Sequence, residues 1–321
     1  MPWPERKLIE RIRRLAGPAP GRALVHGIGD DSAVVNISSG QQLLVTTDLC
    51  IENVHFRRAW HPAPSVGHRC LTRGLSDIAA MGGAPLACFL SLGLPPRLPQ
   101  RWVDQFLEGF LRLARRFGVV LAGGDIAAAP VITADIVVTG QVPSGSALLR
   151  SGARLGDRIY VTGELGSSGA VLKQLYAGRR VRPTASSRHF YPLPRIAVGQ
   201  WLRHRRLATS MIDVSDGISV DLAHICQESH TVADIIAKRI PVADGATLDL
   251  ALHAGDDYEL LFTAGAKTEL PGKIAGVDVT EIGVIHRRKD YLPAIRIIDD
   301  NERSRALRSG GWQHFREEKN R

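Results

Sequence analysis

Two adjacent carboxylates set in a glycine turn at the mouth of an apolar run, Gly27-Ile28-Gly29-Asp30-Asp31-Ser32-Ala33-Val34-Val35, constrain this chain more than any other stretch. Neighbouring acids beside a buried strand repel each other and lose hydration, an expensive arrangement unless a cation neutralises them. Thr46-Thr47-Asp48 follows a second apolar run, and similar acids recur in Leu75-Ser76-Asp77-Ile78, Gly123-Gly124-Asp125 and Ile212-Asp213-Val214-Ser215-Asp216-Gly217. Each stands where an apolar segment meets a turn, or inside a helix-like segment, so folding can gather them into one cleft. An isolated Gly-Asp-Asp is more often a solvated turn; the recurrence favours a divalent-metal platform. Asp, Thr and Ser without Cys or His suit Mg2+ and bound phosphates better than zinc.

Periodicity places these acids on elements. Leu8, Ile9, Ile12 and Leu15 fall at helical spacing, and Gly17-Pro18 ends that helix. Residues 33–37 and 43–47 read as two strands of a hairpin about Ser38-Ser39-Gly40, which would deliver Thr46, Thr47 and Asp48 at its end. The next loop holds His55, as suited to a plain surface role as to substrate contact. Val66, Cys70, Gly74 and Ile78 give a helix face with Asp77 near its end, stopped by Met81-Gly82-Gly83. Residues 88–94 read as a strand, and Trp102, Phe106, Phe110, Leu113 and Phe117 as an amphipathic helix whose aromatic stripe is core packing. Residues 119–122 form a strand that Gly123-Gly124 ends, presenting Asp125, and 131–142 a long strand suited to an interface or to closing a barrel.

The chain of 321 residues exceeds the usual single-core size, and a boundary falls near 148–156, giving domains 1–148 and 149–321. A fresh strand at 158–162 runs into Gly163-Glu164-Leu165-Gly166-Ser167-Ser168-Gly169, which imitates a dinucleotide fingerprint without its spacing or its distal acid and reads as a tight strand-to-helix turn. No Gly-x-x-x-x-Gly-Lys-Ser/Thr occurs, so a nucleotide must be held through metals and Arg. Met211-Ile212-Asp213 ends a short strand, and Ser215 or Asp216 would cap the helix carrying Ile218, Leu222 and Ile225, an arrangement suited to phosphate plus metal. Residues 232–236 and 260–263 look like later strands. In the tail, Gly310-Gly311 frees Trp312 to swing over a ligand, or Trp312 is an ordinary packed aromatic.

Composition narrows the function classes. An apolar fraction of 44% excludes disorder. The absence of an apolar leader and of a bilayer-length apolar run points to a soluble cytoplasmic protein without membrane partners. Cys50, Cys70, Cys88 and Cys226 are widely spaced, indicating reduced packed thiols. The net charge of +9 comes from scattered clusters such as Arg179-Arg180 and His286-Arg287-Arg288-Lys289, without the interleaved aromatics of a nucleic-acid binder. A basic nucleic-acid-binding protein would leave the acids without purpose.

The ordered set of motifs, extended by Arg150-Ser151-Gly152-Ala153-Arg154-Leu155-Gly156-Asp157 and Gly255-Asp256-Asp257-Tyr258-Glu259-Leu260, resembles the thiamine-monophosphate kinase family from the first helix to Trp312. The resemblance implies a two-domain α/β (α+β) fold like that of aminoimidazole ribonucleotide synthetase. Its N-terminal domain would bind metal and ATP, with a sheet that forms a barrel across a homodimer, and its C-terminal domain would complete the active site. It implies ATP-dependent phosphorylation of thiamine phosphate to thiamine diphosphate, the last step of that synthesis, with several Mg2+ ions. By motif position, Asp31, Thr46, Thr47, Asp48, Asp77, Asp125, Asp213 and Asp216 would be metal ligands, and Asp31, Asp48, Asp77, Asp125 and Asp213 would carry the chemistry. Gly124, Asp125, Arg150 and Ser215 would contact ATP, while His55, Asp256 and Trp312 would meet thiamine phosphate. The chain departs from the family's pattern at Asp256, where Glu is usual, and at His253-Ala254-Gly255, where Ser-Gly-Gly is common. Aminoimidazole ribonucleotide synthetase activity is the nearest rival. Selenophosphate synthetase and the hydrogenase-maturation relative would want cysteines that this chain lacks.

Overall fold

The structure, a computed structural model, describes residues 5–17, 24–26, 34–184, 187–288 and 294–311. Expectations for the turn 27–33, including Asp31, and for Trp312 fall outside the described residues. Two compact units result, Met1–Ala147 with Arg182–Ile196, and Leu148–Val181 with Ala197–Arg321.

The first unit carries α1 (Glu5–Ala16), β1 (Leu24–His26), β2 (Val34–Val35), β3 (Gln41–Ile51), α2 (Ala63–Ala80), β4 (Ala84–Leu94), α3 (Gln100–Arg116), β5 (Val120–Ala128) and β6 (Thr133–Pro143). Its four-stranded sheet runs β3-β6-β4-β5, with only β4 and β5 parallel. The expected hairpin between 33–37 and 43–47 does not form: β2 pairs with β1, and β3 pairs along its whole length with β6, from Gln41↔Pro143 to Ile51↔Thr133. Long-range burial overrides the local turn signal, because β6 brings Ala134, Ile136 and Val138 against β3 on the face that the helices cover. Nor does the strand end at Gly123-Gly124. It continues through Ala128, pairing Leu90 with Gly124 and Ser91 with Asp125. A Cβ at Gly124 would stand 1.9 Å from the Leu90 carbonyl oxygen, so this glycine marks close backbone approach and not a stop.

On α3, Trp102, Phe106 and Phe110 stack one turn apart at 5.6 and 6.4 Å between ring centroids, with Phe106 and Phe110 fully buried as the aromatic stripe required. The alternation of β3 divides its side chains. Leu44, Thr46, Asp48 and Cys50 share the more buried face, while Leu43, Val45 and Leu49 are exposed by 44%, 58% and 46% on the other. Residues 187–196 return to this unit after the chain has already entered the second. The Arg69 guanidinium donates to the His189 carbonyl, His68 Nε2 lies 2.7 Å from the Pro192 carbonyl, and the Nε2 atoms of buried His61 and His189 stand 3.0 Å apart.

The second unit carries β7 (Arg158–Thr162), α4 (Ser167–Tyr176), α5 (Ile196–His204), β8 (Ala208–Asp213), α6 (Ile218–Glu228), β9 (Thr231–Ile236), α7 (Leu248–His253), β10 (Leu260–Ala264), β11 (Lys273–Ile274), β12 (Val277–Arg287), β13 (Ile295–Ile298) and β14 (Ser304–Ala306). Its eight-stranded sheet runs β14-β13-β9-β12-β7-β10-β8, with β11 on β12. Ile159, Val161, Ile212, Ala233, Ile235, Leu261, Ile295 and Ile297 form a core with Leu222 and Ile225 of α6. All four cysteines are buried free thiols. Among the described residues no helix is long and apolar enough to cross a membrane.

Candidate active site

In the first unit, Thr46 and Asp48 project from β3 on the face that meets α2. The Thr46 hydroxyl donates to the Asp77 carboxylate, and Asp48 pairs with Arg73 Nε at 2.8 Å. These are oxygen donors on two elements, a set that fits a hard divalent cation. Arg73, one helical turn before Asp77, is a residue the sequence reading missed; its i, i+4 spacing from Asp77 was the available signal. Among the described residues, no group of three His, Cys, Asp or Glu side chains is assembled closely enough to hold a metal alone.

The remaining first-unit candidates lie elsewhere. Thr47 is exposed on the opposite face of β3 from Thr46 and Asp48. Asp125 is exposed on β5, its carboxylate accepting the following Ile126 N–H at 2.8 Å. The cross-strand row Leu49–Asp135–Ser91–Asp125 puts Asp125 on the same face as Thr47, three strand spacings or about 14 Å from β3. Asp135, in the middle of that row, is a second acid not singled out from sequence. His55 is half-buried, and its Nδ1 accepts the Ile51 N–H at 3.0 Å.

The second unit brings Asp213, Ser215, Asp216 and Asp256 together. Asp213 ends β8; the Ser215 carbonyl accepts the Asp256 N–H at 2.8 Å, and the Val214 carbonyl accepts the Tyr258 N–H at 2.9 Å. Neither Ser215 nor Asp216 caps α6, contrary to expectation. Gly217 occupies the N-cap position with φ of 104°, and Asp221, from the first turn, accepts the Asp216 and Gly217 N–H groups at 3.1 and 3.0 Å. Burial pushes the Asp221 carboxyl well above the usual range, the charges of Asp213 and Asp216 add to this, and the two amide bonds oppose it. Extra positive charge would relieve this crowding of three acids, and an acid placed inside the first turn was the sequence signal for Asp221.

Beyond Asp216, the motif 255–259 is built under backbone strain. Asp256 and Tyr258 both have positive φ, 64° and 53°, in the region that disfavours side chains. The Tyr258 hydroxyl donates to Asp256 Oδ1 at 2.7 Å and so fixes that carboxylate. Asp257 points the other way, accepting the Gly166 and Ser168 N–H groups at 2.7 and 3.4 Å where α4 begins. Burial pushes its carboxyl up to about 7, the amide bonds opposing and Glu259 and Asp256 adding to the rise. The glycine turn 163–169 therefore spends its amides on an internal carboxylate, as a tight strand-to-helix turn does. Arg150 is exposed in the loop before β7, and its carbonyl accepts the Ser229 hydroxyl at 3.0 Å.

Residues 29–142 match the family described as AIR synthase related protein, N-terminal domain, which places the α/β first unit in that class. Over nearly the whole chain, the thiamine-monophosphate kinase of Haemophilus influenzae is 33% identical, covering 91% of this chain and 92% of its own, and that of Bacillus subtilis is 31% identical, covering 90% and 93%. The chain belongs to the thiamine-monophosphate kinase family. The crystal structure of the Stenotrophomonas maltophilia enzyme aligns with a TM-score of 0.79 at 33% identity, over 90% of this chain and 95% of that one. AaThiL complexed with AMPPCP and TMP aligns at 0.76 and 29%, over 97% of each chain. A hydrogenase maturation protein in complex with ATP aligns at 0.78 but only 17% identity, a likeness of fold alone.

Proposed function

We propose that this chain transfers the terminal phosphoryl group of ATP to thiamine phosphate, forming thiamine diphosphate by direct in-line transfer, in the cytoplasm. The observation that carries the reading is the whole-chain likeness to AaThiL complexed with AMPPCP and TMP, an ATP analogue together with the acceptor. Transfer between two polyanions is opposed mainly by their repulsion. Several Mg2+ ions, when bound, would neutralise and align the phosphates. Thr46, Asp48 and Asp77 in one unit and Asp213 and Asp216 in the other offer the oxygen donors for them. By motif position Asp31, Thr47 and Asp125 are assigned to metal as well; Thr47 and Asp125, on the opposite sheet face from Thr46 and Asp48, would serve a separate ion.

Gly124, Arg150 and Ser215 are assigned to ATP. Exposed Arg150 offers a planar donor fork for phosphate oxygens. His55, Asp256 and Trp312 are assigned to the acceptor; Tyr258 orients the Asp256 carboxylate. The acceptor phosphate is already ionised near neutral pH, so no strong general base is required.

We also propose a homodimer in which the exposed sheet face of the first unit closes a barrel with its copy. Leu43, Val45 and Leu49 supply an apolar surface there, and Thr47 and Asp125 share that face. The test of the function is to incubate the protein with ATP, Mg2+ and thiamine phosphate. Thiamine diphosphate should form one-for-one with ADP and without a labelled protein adduct from γ-labelled ATP. Folded protein that makes no thiamine diphosphate would overturn the activity, and a labelled adduct would overturn direct transfer.

A further inference from the structure

After β14 the chain leaves the sheet, with Leu307 N–H still bonded to the Ile295 carbonyl at 3.0 Å, and reaches the start of α6. There Gly310 N–H donates to Ser219 Oγ at 3.3 Å, and Ser219 Oγ lies 2.8 Å from Nδ1 of His253, the last residue of α7. The glycine pair is closely seated. A Cβ at Gly310 would stand 2.6 Å from His253 Nδ1, and one at Gly311 would stand 2.2 Å from the Asp216 carbonyl oxygen and 2.6 Å from Val220 Cγ2. The pair thus serves close docking, where its composition suggested freedom to swing.

Asp249, His253 and Ser219 follow the order of a hydrolytic triad, but the arrangement is not nucleophilic. Ser219 is 1% exposed and its oxygen is occupied by Gly310 N–H, while the Asp249 side chain is 85% exposed and 4.0 Å from His253 Nε2. With Oγ accepting from Gly310, the hydroxyl proton is free to go to His253 Nδ1, so one serine bonds both the tail and α7.

We propose that Ser219 and His253 are positioning residues that pin the C-terminal chain at Gly310–Gly311 beside Asp216, and so govern use of the phosphate acceptor and not of ATP. This rests on the kinase reading and its assignment of Asp256 to the acceptor, since His253 ends α7 three residues before Asp256 and so ties the tail to the loop that carries that carboxylate. The test uses the full-length chain. Ser219→Ala deletes both bonds without adding volume and should raise KM for thiamine phosphate about fivefold, the scale of one lost hydrogen bond, while KM for ATP stays within about twofold. Partly exposed His253→Ala is the companion variant, expected to act in the same direction. Gly311→Ala should raise KM for thiamine phosphate further, and Ser219→Ala placed on top of it should add nothing, because the seat is already lost. Hydrogen exchange at the Gly310 amide should accelerate in all three variants.

Equal changes in both KM values, additive effects in the double variant, or unchanged exchange at Gly310 would each overturn the proposal. Wild-type protein that fails to phosphorylate thiamine phosphate would instead sink the kinase reading, and the exchange measurement would still decide whether the tail is pinned.

Discussion

Replacing Asp257 by Asn gives the sharpest physical test of the second unit. The carboxyl is buried and its folded value is pushed up to about 7 from the ordinary 3.8, so between those values the folded chain holds a proton there that the unfolded chain has released. Stability then falls as pH rises between those values. Integrating the linkage relation gives a cost of about 2 kcal/mol at pH 5 and about 4 kcal/mol at pH 8, a difference of roughly 2–3 kcal/mol. Asn keeps an acceptor for Gly166 N–H at 2.7 Å, forfeits the longer contact to Ser168 N–H at 3.4 Å, and has no charge to bury. That forfeit is about 1 kcal/mol and independent of pH. Urea titrations of both proteins at pH 5 and pH 8, read on the transition of the second unit, should therefore show the Asn variant gaining on wild type by roughly 2–3 kcal/mol at the higher pH. A gap between the two proteins that is the same at both values within about 0.5 kcal/mol would refute the assignment of a raised carboxyl to Asp257.

Asp48→Asn and Asp77→Asn should each lower kcat at least about 100-fold at saturating Mg2+ while leaving the circular dichroism spectrum intact, and near-normal turnover in either would remove that residue from the ligand set. Val45→Lys combined with Leu49→Lys places charge on the exposed sheet face and should convert a dimer to monomer in sedimentation equilibrium; a dimer unaffected by both would exclude this face as the interface. Phe106→Ala removes a fully buried ring between Trp102 and Phe110 and should cost about 3–5 kcal/mol in urea unfolding, whereas a loss under about 1 kcal/mol would contradict its place in the core.

Much of the fold was legible where the signal is local. The 3.6-residue spacing of Val66, Cys70, Gly74 and Ile78 and the aromatic stripe from Trp102 onward named α2 and α3, and the apolar runs named the strands. Strand partners were not legible, because β3 pairs with a strand some ninety residues later in the chain while the nearby Ser38-Ser39-Gly40 offered an equally good local turn. Gly124 was read as punctuation because a glycine that admits a neighbouring carbonyl looks the same in sequence as one that ends a strand. The acids were legible as a set, but their orientation was not. Thr46-Thr47-Asp48 looks like one cluster until the strand alternation sends Thr47 to the other face. Arg73 went unnoticed, and Asp257 was given no role, because each acts on a partner that only the fold supplies.

The return of residues 187–196 to the first unit dictates the order in which the molecule can be completed. While the chain is being made, α2 waits with His61, His68 and Arg69 lacking their later partners until His189 and Pro192 have left the ribosome, by which time β7 and α4 have already been synthesised. Severing the polypeptide after residue 147 would therefore release an unfinished half, and a split protein would need its break elsewhere.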